Sequence, residues 1–145
     1  MADCPPAESP APQPGTPEIV VADDDRDGAE VLGVLLRCEG YDVHVAFDGV
    51  HALGLIRALR PRLALVDITM PGLDGYALAE ALAALPGRSA MRVVALSGWG
   101  QAEARERARQ AGFDHYFLKP VDPEALCRWI RDAVPLAGAR PGTAV

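Results

Sequence analysis

Lysine is nearly absent from this chain: thirteen of its fourteen basic residues are arginine, leaving Lys119 as the single lysine. Acids outnumber bases, for a net charge of −6. That balance argues against the broad basic face that nucleic-acid or anionic-membrane binding requires. Long apolar runs are missing too. None reaches the roughly eighteen residues of a bilayer span, and the opening MADCPPAESPAPQPGTPE has no apolar centre of the kind a secretion signal needs. Cysteine is scarce, odd in number and widely spaced (Cys4, Cys38, Cys127), in no metal-binding pattern. Cys38 and Cys127 are expected on apolar helix faces as small hydrophobes. These absences together suit a cytoplasmic location.

What is present is one domain's worth of chain, 145 residues, half of them hydrophobic. Residues 1–17 hold six prolines and almost no large apolar side chain, which predicts a disordered arm. Residues 136–145 have a similar character, and Pro135 is expected to end the last helix. The folded body is therefore expected over 18–135.

Within that body, IVVA (19–22), LALV (63–66), VVAL (93–96) and YFL (116–118) are continuous apolar runs of strand length. Such runs suit parallel strands covered on both faces. YDVHVAF (41–47) instead alternates, with Tyr41, Val43, Val45 and Phe47 set against Asp42, His44 and Ala46, as in an edge strand with one face partly wet. Between the runs the period becomes helical. The expected stripes are Val31, Val34, Leu35 and Cys38; Ala52, Leu55, Ile56 and Leu59; Leu78, Leu82 and Leu85; and Leu126, Trp129, Ile130 and Ala133. Asp122 and Pro123 make a good helix start. The segment QAEARERARQA (101–111) offers only alanines to a core and should dock weakly. Five strands alternating with five helices predict an α/β fold with a parallel sheet, in the flavodoxin-like order 2-1-3-4-5 with helices on both faces.

In such sheets the ligand site lies beyond the carboxyl ends of the strands. The first run is followed by Asp23, Asp24 and Asp25, the third by Asp67 and ITMPGLDG, the fourth by Ser97 and Gly98, and the fifth by Lys119 and Pro120. Each taken singly fits a cap or a turn: Asp25 as a helix N-cap, Asp27 as a first-turn acid, Asp74 with Gly75 as a cap and turn. Together they converge from four distant places. Clustered carboxylates raise one another's pKa unless positive charge intervenes. Lys119 supplies one charge, and an all-oxygen set with room for water and phosphate oxygens suits Mg2+, while the lack of His or Cys in these loops disfavours zinc and copper. A carboxylate nucleophile beside a hydroxyl and an ammonium describes phosphoryl transfer to a carboxylate.

The pattern IVVADDD, LALVDITMPGLDG, VVALSGWG and HYFLKPVD resembles the receiver domain of two-component response regulators, over about residues 18–134. The resemblance implies that Asp67 accepts a phosphoryl group from a phosphohistidine on a sensor histidine kinase or a phosphotransfer protein. It implies that Asp23 and Asp24 hold Mg2+, with Asp67 and the Thr69 backbone carbonyl contributing. It implies that Ser97 and Lys119 reach phosphoryl oxygens, that Tyr116 is the switch aromatic, and that the Lys119–Pro120 bond is cis. The surface of the fourth helix, fifth strand and fifth helix would then change for a downstream protein partner, with homodimerisation a further possibility. The lone lysine acquires a reason: a compact ammonium on a flexible stem can pair with Asp67 and follow phosphoryl oxygens, where a planar guanidinium fork would not fit.

Other readings compete. A degenerate receiver would bind partners without phosphorylation. A haloacid-dehalogenase-type phosphatase wants a second acid where this chain has Thr69. A flavodoxin-like flavin site wants a hydroxyl- or glycine-rich first loop where this chain has DDDRDG. Trp99 either shields the acceptor from water or packs on the surface. No DNA-binding helix pair follows the receiver pattern, which suits either a free-standing regulator or a receiver from a longer hybrid protein.

Overall fold

The computed structural model describes residues 18–135; the arms expected at 1–17 and 136–145 lie outside the described residues. The chain alternates strand and helix throughout: β1 (Glu18–Ala22), α1 (Arg26–Cys38), β2 (Asp42–Ala46), α2 (Gly49–Leu59), β3 (Leu63–Asp67), α3 (Gly75–Ala83), β4 (Arg92–Ser97), α4 (Ala102–Ala111), β5 (His115–Leu118) and α5 (Pro123–Ala133). All pairings are parallel and the sheet order is β2-β1-β3-β4-β5. Each expected strand therefore forms, within about a residue of its apolar run.

Two cores lie on the two faces of the sheet. On one, Val20, Ala22, Val66 and Val93 meet Ile56 of α2, Leu78 and Leu82 of α3 and Ala108 of α4. On the other, Ile19, Val21, Leu65 and Leu96 meet Leu36 of α1 and Leu126 and Ile130 of α5. Alternate residues of a strand point to opposite faces, so a run of four apolar residues feeds both. The α2, α3 and α5 stripes pack as expected.

Three expectations need correction. In α1 the buried residues are Ala29, Gly33 and Leu36, while Val31 and Val34 are 68% and 47% exposed, and Cys38 is exposed rather than packed. Opposite a charged strip of Arg26, Glu30 and Arg37, the apolar residues (Val31, Leu32, Val34, Leu35, Leu36) cover a broad arc and not one narrow stripe, so size decides the phase of the helix. A side chain built at Gly33 would come within 3.1 Å of Val45 Cγ2, which turns the small residues toward the sheet and the valines outward. Cys127, by contrast, is buried as expected. The second correction is β5: it is the opposite edge of the sheet, and none of its four residues is fully buried. Along residues 41–47, Tyr41 and Val43 are buried and Val45 and Phe47 half-buried, but Ala46, expected on the wet side, is buried too.

The helix starts expected at Asp122 and Asp74 are capped by those side chains, whereas Asp25 precedes α1 without a side-chain cap bond. Asp122 Oδ1 accepts from the Glu124 amide at 3.1 Å ahead of Pro123, Asp74 Oδ1 from the Ala77 amide at 2.9 Å, and Asp48 Oδ1 from the His51 amide at 2.7 Å. Gly75 begins α3 directly against the end of β3: its amide donates to the Ile68 carbonyl at 2.9 Å, and an added Cβ would lie 2.7 Å from the Asp67 carbonyl oxygen. Gly75→Ala must displace backbone and should destabilise by about 1–3 kcal/mol. Gly54→Ala, inside α2 with open space around it, should instead be neutral or stabilising by up to about 1 kcal/mol. Urea unfolding of the two variants checks the contrast.

Candidate functional site

The parallel ladders run on past the strands and hold the loops at their carboxyl ends. The Asp23 amide donates to the Ala46 carbonyl at 3.0 Å, the Ile68 amide to Leu96 at 2.9 Å and the Lys119 amide to Ser97 at 2.7 Å. The Lys119–Pro120 bond is cis. Rigid strands thus deliver acids from β1 and β3, a hydroxyl from β4 and an ammonium from β5 to one end of the sheet.

Asp67 sits at its centre, buried to 5% exposure, with Asp23 at 3%. Oxygens of Asp23, Asp24 and Asp67 all lie within 4.8 Å of one another. Lys119 Nζ spans the two buried acids, 3.0 Å from Asp23 Oδ2 and 3.4 Å from Asp67 Oδ2. Backbone amides orient the other oxygens: Asp25 N donates to Asp23 Oδ1 at 3.0 Å and Thr69 N to Asp67 Oδ1 at 3.1 Å. Thr69 itself is exposed and Asp24 is exposed at the mouth of the cluster.

The electrostatics are unbalanced. Asp67 is pushed up to about 7, by burial first and then by the Asp23 charge, against the lowering effects of the Thr69 amide and Lys119. Burial alone would lower the Lys119 pKa. Its hydrogen bond to Asp23 and the charges of Asp67 and Asp23 outweigh that, and Lys119 titrates above its ordinary value. One ammonium is too little for three carboxylates. The all-oxygen donor set and this negative surplus fit a hard divalent cation such as Mg2+, with Asp23, Asp24 and Asp67 as its side-chain ligands.

Ser97 is fully buried at the end of β4, its Oγ accepting from the Trp99 amide at 3.0 Å. Tyr116 is half-buried on β5, and its hydroxyl donates to the Trp99 carbonyl. A chain of contacts therefore joins Ser97, the loop at Trp99 and Tyr116. It continues to α4, where the Arg105 guanidinium lies 4.9 Å from the centre of the Tyr116 ring. The Trp99 indole is 52% exposed.

Asp23, Asp24, Asp67 and Lys119 thus meet at one point, with Ser97 and Tyr116 linked through Trp99 beside it, while Asp25 and Asp74 stand at the starts of α1 and α3. Sequence reasoning missed the orienting amides of Asp25 and Thr69, which any residue could supply and which leave no side-chain signature. It also missed the close approach of Gly75 beneath Asp67. The DG pair signals a turn but not its neighbour.

Comparison with known proteins agrees with this geometry. Residues 19–131 match the model of the response regulator receiver domain family. The chain is 36% identical over 114 residues to an uncharacterised 14.6 kDa protein of Leptolyngbya boryana, covering 79% of this chain and 87% of that one. It is 36% identical over 113 residues to the DNA-binding response regulator MtrA of Mycobacterium tuberculosis, covering 78% of this chain but only 48% of that protein. A putative response regulator from Chloroflexus aurantiacus superposes with a TM-score of 0.76 at 30% identity, over 81% of this chain and 97% of the other. The receiver domain of the sensor histidine kinase PA1611 from Pseudomonas aeruginosa, solved with magnesium coordinated in its active-site cleft, gives 0.74 at 28% identity over 81% and 96%.

A buried carboxyl raised to about 7 makes stability depend on pH. With the unfolded value near 4, the favourable contribution of protonated Asp67 is fully present below about pH 4 and is lost as pH rises to about 7. Asp67→Asn removes the ionisable group. The variant should therefore exceed the parent protein in stability at pH 8 by on the order of 1–2 kcal/mol, a Tm rise of about 5 °C or more. That advantage should disappear below pH 4. Calorimetric melting without divalent cations at pH 4, 6 and 8 checks it.

Proposed function

Because this chain belongs to the response regulator receiver domain family, and so to two-component signalling, we propose that Asp67 is its phosphoacceptor. The observation that carries the reading is the placement of Lys119 Nζ between two buried carboxylates, 3.4 Å from Asp67 and 3.0 Å from Asp23. The donor would be a phosphohistidine on a sensor histidine kinase or a phosphotransfer protein. An Asp67 oxygen attacks phosphorus, the P–N bond breaks, and the imidazole leaves with the electron pair. The product is an acyl phosphate.

Little covalent chemistry falls to the protein in such a transfer, so positioning and electrostatics do the work. Thr69 N holds one Asp67 oxygen at 3.1 Å and leaves the other toward Lys119. Lys119 neutralises charge and is free to follow the phosphoryl oxygens on its flexible stem. Asp23, Asp24 and Asp67, with the Thr69 carbonyl, would hold Mg2+, which supplies further neutralisation of the incoming phosphoryl group.

The Ser97 hydroxyl is the nearby group on β4 able to turn toward the new phosphate. Releasing its bond from the Trp99 amide loosens the loop whose carbonyl the Tyr116 hydroxyl holds. Helix α4, anchored by the small residues Ala108 and Ala111, is the element most easily displaced. Hydrogen bonds of this kind tilt a two-state balance by about 1–3 kcal/mol. The altered α4–β5–α5 face would be read by a protein partner or a second copy of the chain. DNA binding belongs to the named MtrA relatives, about half of whose length this chain spans. The acidic composition of this chain suits a protein partner.

Incubation with acetyl phosphate, followed by intact mass and peptide mapping, tests the acceptor. One phosphoryl group should add in Mg2+, on the peptide holding Asp67, and fail to add in Asp67→Asn or when Mg2+ is chelated. An adduct that persists in Asp67→Asn, or no adduct together with no binding of beryllofluoride, would contradict the assignment. Lys119→Arg should fold yet accept phosphate at least ten-fold more slowly, about 1.4 kcal/mol or more in the barrier. A rate equal to the parent's would remove lysine's special role.

A further inference from the structure

At the opposite end of the sheet from the acid pocket, β1 and β2 bring together a second group of metal-type donors. Glu18 and Asp42 are registered partners at the amino ends of the two strands, and His44 follows Asp42 by two residues, which returns its side chain to the same face. His44 Nε2 lies 3.4 Å from Asp42 Oδ1 and 3.9 Å from Glu18 Oε2. One donor atom from each of the three falls within 4.8 Å of the others. Among the described residues, His44 Nε2 is the one side-chain nitrogen or oxygen both closed off from solvent and without a hydrogen-bond partner. A ring nitrogen enclosed by two carboxylate oxygens, yet bonded to neither, lacks something between them.

From this arrangement we infer that Glu18, Asp42 and His44 form a binding site for a borderline divalent cation of the Zn2+ type, separate from the acid pocket. Two donors at about 2.0–2.2 Å from one tetrahedral ion stand roughly 3.3–3.6 Å apart. The His44–Asp42 distance already falls in that range, and Glu18 reaches it by a small side-chain rotation. The imidazole nitrogen selects zinc over magnesium, whose preference is for oxygen throughout. Two carboxylates balance the charge of the ion. A groove of about 590 Å3 runs along the outer side of β2 and reaches His44, with His51 and Leu55 also in its lining. The ligands stand on rigid paired strands, so the ion clips the outermost strand to its neighbour.

Zn2+ titration of the full, tag-free chain by calorimetry in excess Mg2+ tests this, with thermal melting alongside. One Zn2+ should bind per chain and raise the Tm. Affinity should fall at least ten-fold in His44→Ala and in Asp42→Asn, and should hold in Asp23→Asn. Circular dichroism verifies that each variant folds, and two independent ligand variants guard against one that does not. Binding that ignores both His44→Ala and Asp42→Asn, or that vanishes with Mg2+ or Asp23→Asn, would overturn the site. So would the absence of saturable Zn2+ binding to the parent chain.

Discussion

Two carboxyl groups that repel each other, Asp23 and Asp67, are buried side by side at the ends of adjacent strands, and much of the surrounding structure answers that fact. Lys119 reaches both, and it can do so because the ladder bond from its amide to the Ser97 carbonyl sets its backbone beside β4. The Asp25 and Thr69 amides spend their donors on the same two acids. What remains uncompensated keeps Asp67 near 7, a value at which it resists ionising alone and ionises readily once more positive charge arrives. In the proposed cycle, a site balanced in this way takes up a cation and then a dianionic phosphoryl group.

The domain around this pair is unequally built. The faces flanking the acids are held by large side chains: Leu36, Leu126 and Ile130 on one side, Ile56, Leu78 and Leu82 on the other. Helix α4 is different. It buries only Ala108 and Ala111, and it is held further by a long hydrogen bond from the Tyr76 hydroxyl to the Ala104 carbonyl and by arginines lying over aromatic rings, Arg105 on Tyr116 and Arg107 on Tyr76. Cation–π contacts of partly exposed groups are worth about 0.5–1 kcal/mol each, far less than a buried leucine. In the proposed cycle, a change at Ser97 therefore has one soft element to move and several stiff ones to move against.

Much of this was legible before any coordinates. The strands announced themselves because parallel strands covered on both faces need unbroken apolar runs, and the site followed because such sheets present their chemistry at strand carboxyl ends. The phase of α1 was not legible. A helix apolar on most sides has no unique stripe, and the close fit of Gly33 to Val45 that decides the matter belongs to the packing. Nor was the exposure of β5, whose run reads like the central strands although it lies at an edge. The Glu18–Asp42–His44 group was hidden for a related reason. His44 was read as the outward residue of an alternating strand, and only the register of β1 on β2 sets Glu18 opposite Asp42.

The central claim is that Asp67 is held near neutrality by burial and Asp23, and is freed as a nucleophile when positive charge is added. Carbon-13 NMR of the Asp67 side-chain carboxyl across pH, with and without Mg2+, measures this directly. The account predicts a midpoint near 7 in the metal-free protein that falls by at least a unit when Mg2+ binds. A midpoint near 4, unmoved by Mg2+, would contradict it.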